Sequence, residues 1–566
     1  MLVSCSGNGE GSKSELEGFK VVILMIGKGT FSGQPHPNKY SRVSFMSAPF
    51  KLLIGFFVFA TLLTGCQRNS VAQRSDVETK LDAAAIAPAS AKVALTLGPD
   101  VAEGPVSGRL LVLFSTGNPS PITGPDWFAP EPFASTAVTD WVAGETLKLS
   151  PEVMTFPKSL RQLDPGKYHL QAVLRRNPDF AHHKDGPGNL YSEAQVVNLR
   201  SGQHTTITLE LTKVVPLPTF EPTPTTKIIS QRSALLSAFH GRDVIDRALV
   251  LLPPDYDSQA HKSYPVYYEI TGFGPTIEDM LKHRKVSAIA SGGVEFIHVI
   301  LSGQTQWGHH VYANSQTNGP RGDALVNELI PEIEKRFRAI PKPYARLLGG
   351  HSSGGWSSLW LQTHYSKFFG GVWSTSPDPV DFRDWQGTNL YQSNANIFTD
   401  PEGRRRPLAI ANGNPVLWYD DFSKMDDVLE RGGQLRSFEA VFSPRGDDGL
   451  PVQCWDRDTG EVDPDIVEHW KQYDISHHLR DHWDDLKDDL AGKIHIYTGS
   501  QDTFLLTKAV QLLKQRLQDL NSDAQVEILD GHDHFDILAS GLPDRIYQSM
   551  AEKFSQAVNG DGSTSR

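Results

Sequence analysis

The sequence predicts an α/β fold, a mostly parallel sheet flanked by helices, preceded by an all-β sandwich. Three observations carry this. Between residues 92 and 211, short and often alternating apolar runs are separated by Gly, Pro and Asn without helical periodicity. A proline-bearing stretch, Val214 to Thr226 (VVPLPTFEPTPTT), follows them. Beyond it, apolar strands alternate with amphipathic segments, as a sheet covered by helices requires.

The chain has 566 residues, about three to four times the commonest domain size, so more than one core is expected. Hydrophobic residues make up 39% and charged residues 21%, which excludes a largely disordered, collagenous or many-spanning membrane chain. The formal net charge of -12, with no long basic run, argues against a nucleic-acid partner. Three cysteines, Cys5, Cys66 and Cys454, are too few for a disulfide framework or a four-thiolate metal site.

Residues 1–66 read as an upstream extension and an export signal. Leu52 to Leu63 (LLIGFFVFATLL) is an uncharged run suited to a signal-peptide core and too short to span a bilayer of roughly 30 Å. It leads into Leu63-Thr64-Gly65-Cys66, which resembles a bacterial lipobox. That resemblance implies cleavage before Cys66, lipidation of its sulfur and a membrane-anchored, exported protein. Met46 and Lys51 offer a start methionine and a basic residue at the usual distance, so translation from Met46 is one alternative to Met1. Gln67, rather than Asp, leans toward the outer membrane in a host that has one. Residues 67–90 are polar and Ala/Ser-rich, as in a flexible tether.

Within residues 91–213, Lys92 to Leu97, Gly108 to Ser115, Tyr168 to Leu174, Ala194 to Leu199 and Thr205 to Leu211 carry strand signals, and their number suggests an immunoglobulin-like shape. Trp127 and Trp141 read as packing residues, with a substrate-binding module as the alternative. The prolines of residues 214–227 stiffen a linker. Residues 228–556 form the α/β domain, with strands at Arg247 to Leu252, Tyr264 to Ile270 and Phe296 to Leu301.

The chemistry centres on Gly350-His351-Ser352-Ser353-Gly354, a G-x-S-x-G placed between the strand Ala345 to Leu348 and a helix beginning near Trp356. Such a turn pushes the Ser352 oxygen above the sheet, and glycines two residues away relieve the crowding. The N–H of Ser353, at the helix start, is aimed at a developing oxyanion. A serine hydroxyl needs a base and an orienting acid. Asp502 follows the late strand Ile494 to Thr498. Asp530-Gly531-His532-Asp533-His534 follows the last strand, Gln525 to Leu529, and supplies two histidines. His534 is favoured, with His532 as the alternative. The turn Thr271-Gly272-Phe273-Gly274 is expected to provide the second oxyanion donor through the Phe273 N–H.

Arg247 to Phe554 resembles the putative esterase family of α/β hydrolases, which includes esterase D, feruloyl and acetylxylan esterases, enterochelin esterase and the mycolyltransferases. The matching pieces are LVLLPPDYD with YPVYYEITGFG, GGHSSGG, TGSQD and GHDHF. The resemblance implies an α/β-hydrolase fold and hydrolysis of a small-molecule or glycan-linked carboxylic ester, without a cofactor. Two departures stand out: Thr271-Gly272 replaces the family's usual His-Gly, and about residues 376–493 are inserted between Ser352 and Asp502. The insertion is expected to form a lid or wall. Its run His477-His478-Leu479-Arg480-Asp481-His482 lacks an H-E-x-x-H arrangement, so no catalytic metal is expected. Alternative readings are a serine peptidase or acyltransferase on the same scaffold, or a cell-surface glycan-binding or scaffold protein with an inactive hydrolase domain.

Overall fold

The computed structural model describes residues 87–283 and 287–564. Cys5, the apolar run Leu52 to Leu63, Cys66 and most of the tether lie outside the described residues. Among the described residues, no helix is long and apolar enough to cross a membrane.

The first strands, Ser90–Leu97, Val106–Ser115, Phe133–Trp141, Gly166–Arg175 and His204–Val214, with four shorter ones, join in one nine-stranded sheet. The all-β character agrees with the sequence pattern, and the strands are linked by hydrogen bonds in one continuous order. Gly166–Arg175 is long enough to link them: it pairs with Gln195–Leu199 at one end and with Leu190–Ser192 at the other. Along its other edge it pairs with Val106–Ser115. Alternate side chains, among them Val93, Leu95, Val112, Phe114 and Leu170, fill this region's own core. The intervening Leu111, Leu113, Phe133 and Val173 face the other way and join the core of the α/β region. Burial on both faces explains why the Leu110 to Phe114 segment reads as a continuous apolar run.

The proline run 215–225 has no regular structure, and the chain from residue 87 onward belongs to one compact unit. The second sheet contains β1 (Thr226–Arg232), β2 (Ile245–Leu251), β3 (Val266–Ile270), β4 (Val294–Leu301), β5 (Arg346–His351), β6 (Gly371–Thr375), β7 (Ile494–Gly499) and β8 (Gln525–Leu529), in the order β1-β2-β4-β3-β5-β6-β7-β8. β2 runs antiparallel to both its neighbours, β1 and β4, and the other neighbouring pairs in this order run parallel. Helix α1 (Ser353–His364) is buried along nearly its whole circumference, so it lacks an amphipathic pattern.

The inserted segment carries a hairpin (Pro407–Ala411 with Asn414–Trp418), α2 (Tyr419–Leu429), α3 (Gln434–Phe442) and α4 (Ile475–Leu490). Its own aromatic core binds it to the sheet domain: the Trp385 and Trp470 rings are 5.1 Å apart, Phe442 and Trp470 5.4 Å, and Trp356 of α1 meets Phe442 at 5.2 Å. Such packing makes a fixed wall. The final crossover between β7 and β8 is α5 (Thr507–Asp519).

Candidate active site

β5 ends at His351 and α1 begins at Ser353, which leaves Ser352 alone on the turn with φ 60° and ψ -124°. A non-glycine residue there costs about 1–3 kcal/mol and must be held by its surroundings. The Ser352 N–H donates to the Thr375 carbonyl on β6, and the Trp356 N–H donates to the Ser352 carbonyl, both at 3.0 Å. The flanking glycines are steric necessities: a Cβ on Gly350 would lie 2.4 Å from the Gly354 carbonyl oxygen, and one on Gly354 would lie 2.0 Å from that of Ile270. Ser353 opens α1, where backbone N–H groups have no intrahelical partner.

Asp502 and His534 come together from the loops after β7 and β8. His534 Nδ1 lies 2.8 Å from Asp502 Oδ2, with both side chains almost wholly buried. The other carboxylate oxygen of Asp502 accepts from the Phe504 N–H at 3.0 Å, which fixes the carboxylate plane. The His534 ring is packed by Phe504 at 4.9 Å and by His351 at 4.5 Å. His532 points elsewhere: its Nδ1 pairs with Asp536 at 3.1 Å and its side chain is one-third exposed. The loop thus divides its two histidines between the pocket and the solvent side.

The turn Thr271 to Gly274 passes directly beside the serine, for a Cβ on Gly272 would stand 3.6 Å from that of Ser352. Two residues outside the sequence motifs pin it. His309 Nε2 lies 3.0 Å from the Thr271 carbonyl while its Nδ1 accepts from the Val311 N–H at 3.0 Å. Burial pushes the His309 imidazole down to about 4, so the ring is neutral and its Nε2–H donates to Thr271. Gln304 Nε2 donates to the Gly274 carbonyl at 3.1 Å.

Ser352, His351, His534, Gly272, Phe273 and Asp378 line one cavity of about 460 Å³, within the size range of small-molecule sites. Asp378 was not marked by any motif. It follows β6, is 4% exposed and accepts from the Ser353 hydroxyl at 2.6 Å. Burial pushes its carboxyl up to about 6, against the opposing pull of the Ser353 hydrogen bond and the nearby His534. Of the histidine run in α4, His477 pairs with Asp481, and His478 stacks on His364 at 4.0 Å. Among the described residues, His182, Asp185 and Asp279 bring three potential metal-ligand atoms within 4.8 Å of one another, and none of them lines the Ser352 cavity.

The family model described as "Putative esterase" matches residues 246–537. Similar solved structures include an S-formylglutathione hydrolase from Agrobacterium tumefaciens, at 14% identity over 58% of this chain and 95% of that one, with a TM-score of 0.36. A fluorophosphonate-binding serine hydrolase of Staphylococcus aureus shares 13% identity over 58% of this chain and 98% of that one, with a TM-score of 0.35. A ferulic acid esterase from Anaeromyces mucronatus shares 15% identity over 58% and 91%, with a TM-score of 0.29. No curated protein sequence matches the chain. With its match covering the strand, elbow and histidine-loop segments that build the site, the chain belongs to the putative esterase family and is a carboxylic ester hydrolase of α/β-hydrolase fold.

Proposed function

We propose that this esterase works through an acyl-enzyme formed on Ser352. The observation that carries the proposal is the buried Asp502–His534 pair opening onto the same cavity as a serine held at positive φ. His534 Nε2 takes the hydroxyl proton as Ser352 Oγ bonds to the ester carbonyl carbon, and the carbonyl electrons move onto oxygen. The oxyanion is met by the N–H groups of Ser353 and Phe273. Collapse breaks the bond to the alkoxy oxygen, which leaves with the proton from His534. Water repeats the sequence on the acyl-enzyme and releases the acid. Asp502 holds the ring so that Nε2 faces the serine and stabilises the imidazolium. The substrate is a small-molecule ester, as a cavity of this volume suits.

Fluorophosphonate labelling tests this: the native protein should be modified at Ser352, and labelling that persists after Ser352→Ala would overturn the assignment. The lipobox-like Leu63 to Cys66 supports a cell-envelope location with a lipid at Cys66. Cys66→Ala should abolish incorporation of labelled fatty acid, and persistent incorporation would remove the anchor from the proposal.

A further inference from the structure

The wall of the Ser352 cavity is not made by the α/β region alone. Trp127 and Phe128, in the loop between the strands Val106–Ser115 and Phe133–Trp141, line it as well. The Trp127 ring meets Phe273 of the oxyanion turn at 5.6 Å and stands edge-on to Phe422 of α2 at 4.8 Å. One side chain of the N-terminal β-region therefore touches both the turn beside the nucleophile and the inserted wall. Its loop is shaped by Asp126, whose carboxylate accepts from the N–H groups of Phe128 at 2.8 Å and Ala129 at 3.0 Å.

The same β-region grips the end of α2. Arg109 donates to the Glu430 carboxylate at 3.0 Å and to the Val428 carbonyl at 3.3 Å. Arg175 donates to the Leu429 carbonyl at 3.4 Å, and the Ser135 hydroxyl donates to Val428. These are the carbonyls a helix leaves without partners at its C-terminus, where a cation is also favoured. Both arginines are buried, so the β-region and the inserted segment that build this wall share an interior seat.

We propose that the N-terminal β-region sets the substrate range of the esterase, with Trp127 and Phe128 forming a subsite for a bulky apolar group of the ester. This rests on the assignment of Ser352 and His534 above. The aromatic lining from Trp127, Phe273, Phe422 and Phe438 offers faces and edges to a planar or branched apolar group and few partners to a polar one. Phe128, 48% exposed, leaves a ring for such a group to cover. Loop packing for stability alone would make loss of Trp127 weaken turnover of every ester by the same factor.

Two ester series separate these outcomes. 4-Nitrophenyl acetate and benzoate vary the acyl side, and methyl and 2-naphthyl acetate vary the alcohol side. In Trp127→Ala the ratio of kcat/KM for the bulky over the small member should fall by about fivefold or more in one series, a loss of the size expected for a hydrophobic contact. Trp127→Phe should restore most of it, and Phe128→Ala, at a half-exposed ring, should shift the same ratio in the same direction. Ratios within about fivefold of wild type in both series, for Trp127→Ala and for Phe128→Ala, overturn the proposal. A wild-type protein that labels at Ser352 yet shows no preference change isolates the failure to this subsite. Absence of labelling places the failure in the reaction assignment instead.

Discussion

The Ser353 hydroxyl donates to the Asp378 carboxylate at 2.6 Å, one residue past the serine at the elbow. The Ser352 side chain also hydrogen-bonds to Asp378, and both line the cavity in which the oxyanion would form. Burial raises its pKa to about 6, so it is neutral below that pH and an anion above it. A negative charge there opposes the developing oxyanion and competes for the Ser352 hydroxyl. Asp378→Asn copies the neutral acid, so its kcat/KM should match wild type near pH 5. It should exceed wild type by about three- to tenfold near pH 8, the scale of one nearby charge in a partly desolvated site. A pH-rate profile decides this, and parallel profiles would show that the carboxyl does not titrate in turnover.

The two histidines of the β8 loop should separate in kinetics as they do in space. His534→Ala should lose kcat by about 10⁴-fold, nearly as much as Ser352→Ala, because members of a triad act as one unit. His532→Ala, which removes only the ring paired with Asp536, should lose less than about tenfold. Steady-state rates on one nitrophenyl ester compare all three variants.

The neutral His309 is a positioning residue for the oxyanion turn. His309→Ala frees the Thr271 carbonyl and should lower kcat by about 10²-fold, the cost of a misplaced oxyanion donor, with KM changed far less. His309→Gln retains a donor and should recover part of kcat. Equal losses in both variants, accompanied by a lower unfolding midpoint, would mark a purely structural role.

Asp426, at the end of α2, accepts from the N–H groups of Leu435 at 2.8 Å and Arg436 at 3.2 Å and so joins α2 to α3. Burial pushes its carboxyl from 3.8 up to about 7. The folded state holds the proton more tightly than the unfolded chain does, so this group makes stability fall as pH rises from about 4 to about 7. Asp426→Asn keeps an acceptor oxygen and removes the titration. Its stability relative to wild type should increase between pH 5 and pH 8 in denaturant melts. A difference independent of pH would show that Asp426 is already ionised at pH 5.

The sequence revealed the parts of the site that local geometry dictates. Gly350 is required by the carbonyl of Gly354 four residues on, Gly354 stands at the spacing the elbow turn sets, and Asp502 and His534 each follow a strand whose apolar run is visible in isolation. Asp378 and His309 carry no sequence signal of a site role, and Trp127 reads first as a packing residue with substrate binding as the alternative, because each acts through a contact between distant segments. Asp378 follows β6 in a Pro-bounded turn of no special pattern, and Trp127 reaches Phe422 across nearly three hundred positions of chain. The strands of the β-region are likewise legible one by one, while the pairing of Gly166–Arg175 with two different partners along one edge leaves no periodic trace.

The mostly exposed proline run 216–225 connects two regions whose side chains share a core: Leu111, Phe133 and Val173 pack in the same cluster as Val250 and Val266. Those shared contacts are expected to hold the two regions together when the run itself is cut. A protease that nicks the chain near Leu217, which is 78% exposed, would produce two fragments on a denaturing gel and a single particle by size. Such a particle would keep both walls of its pocket.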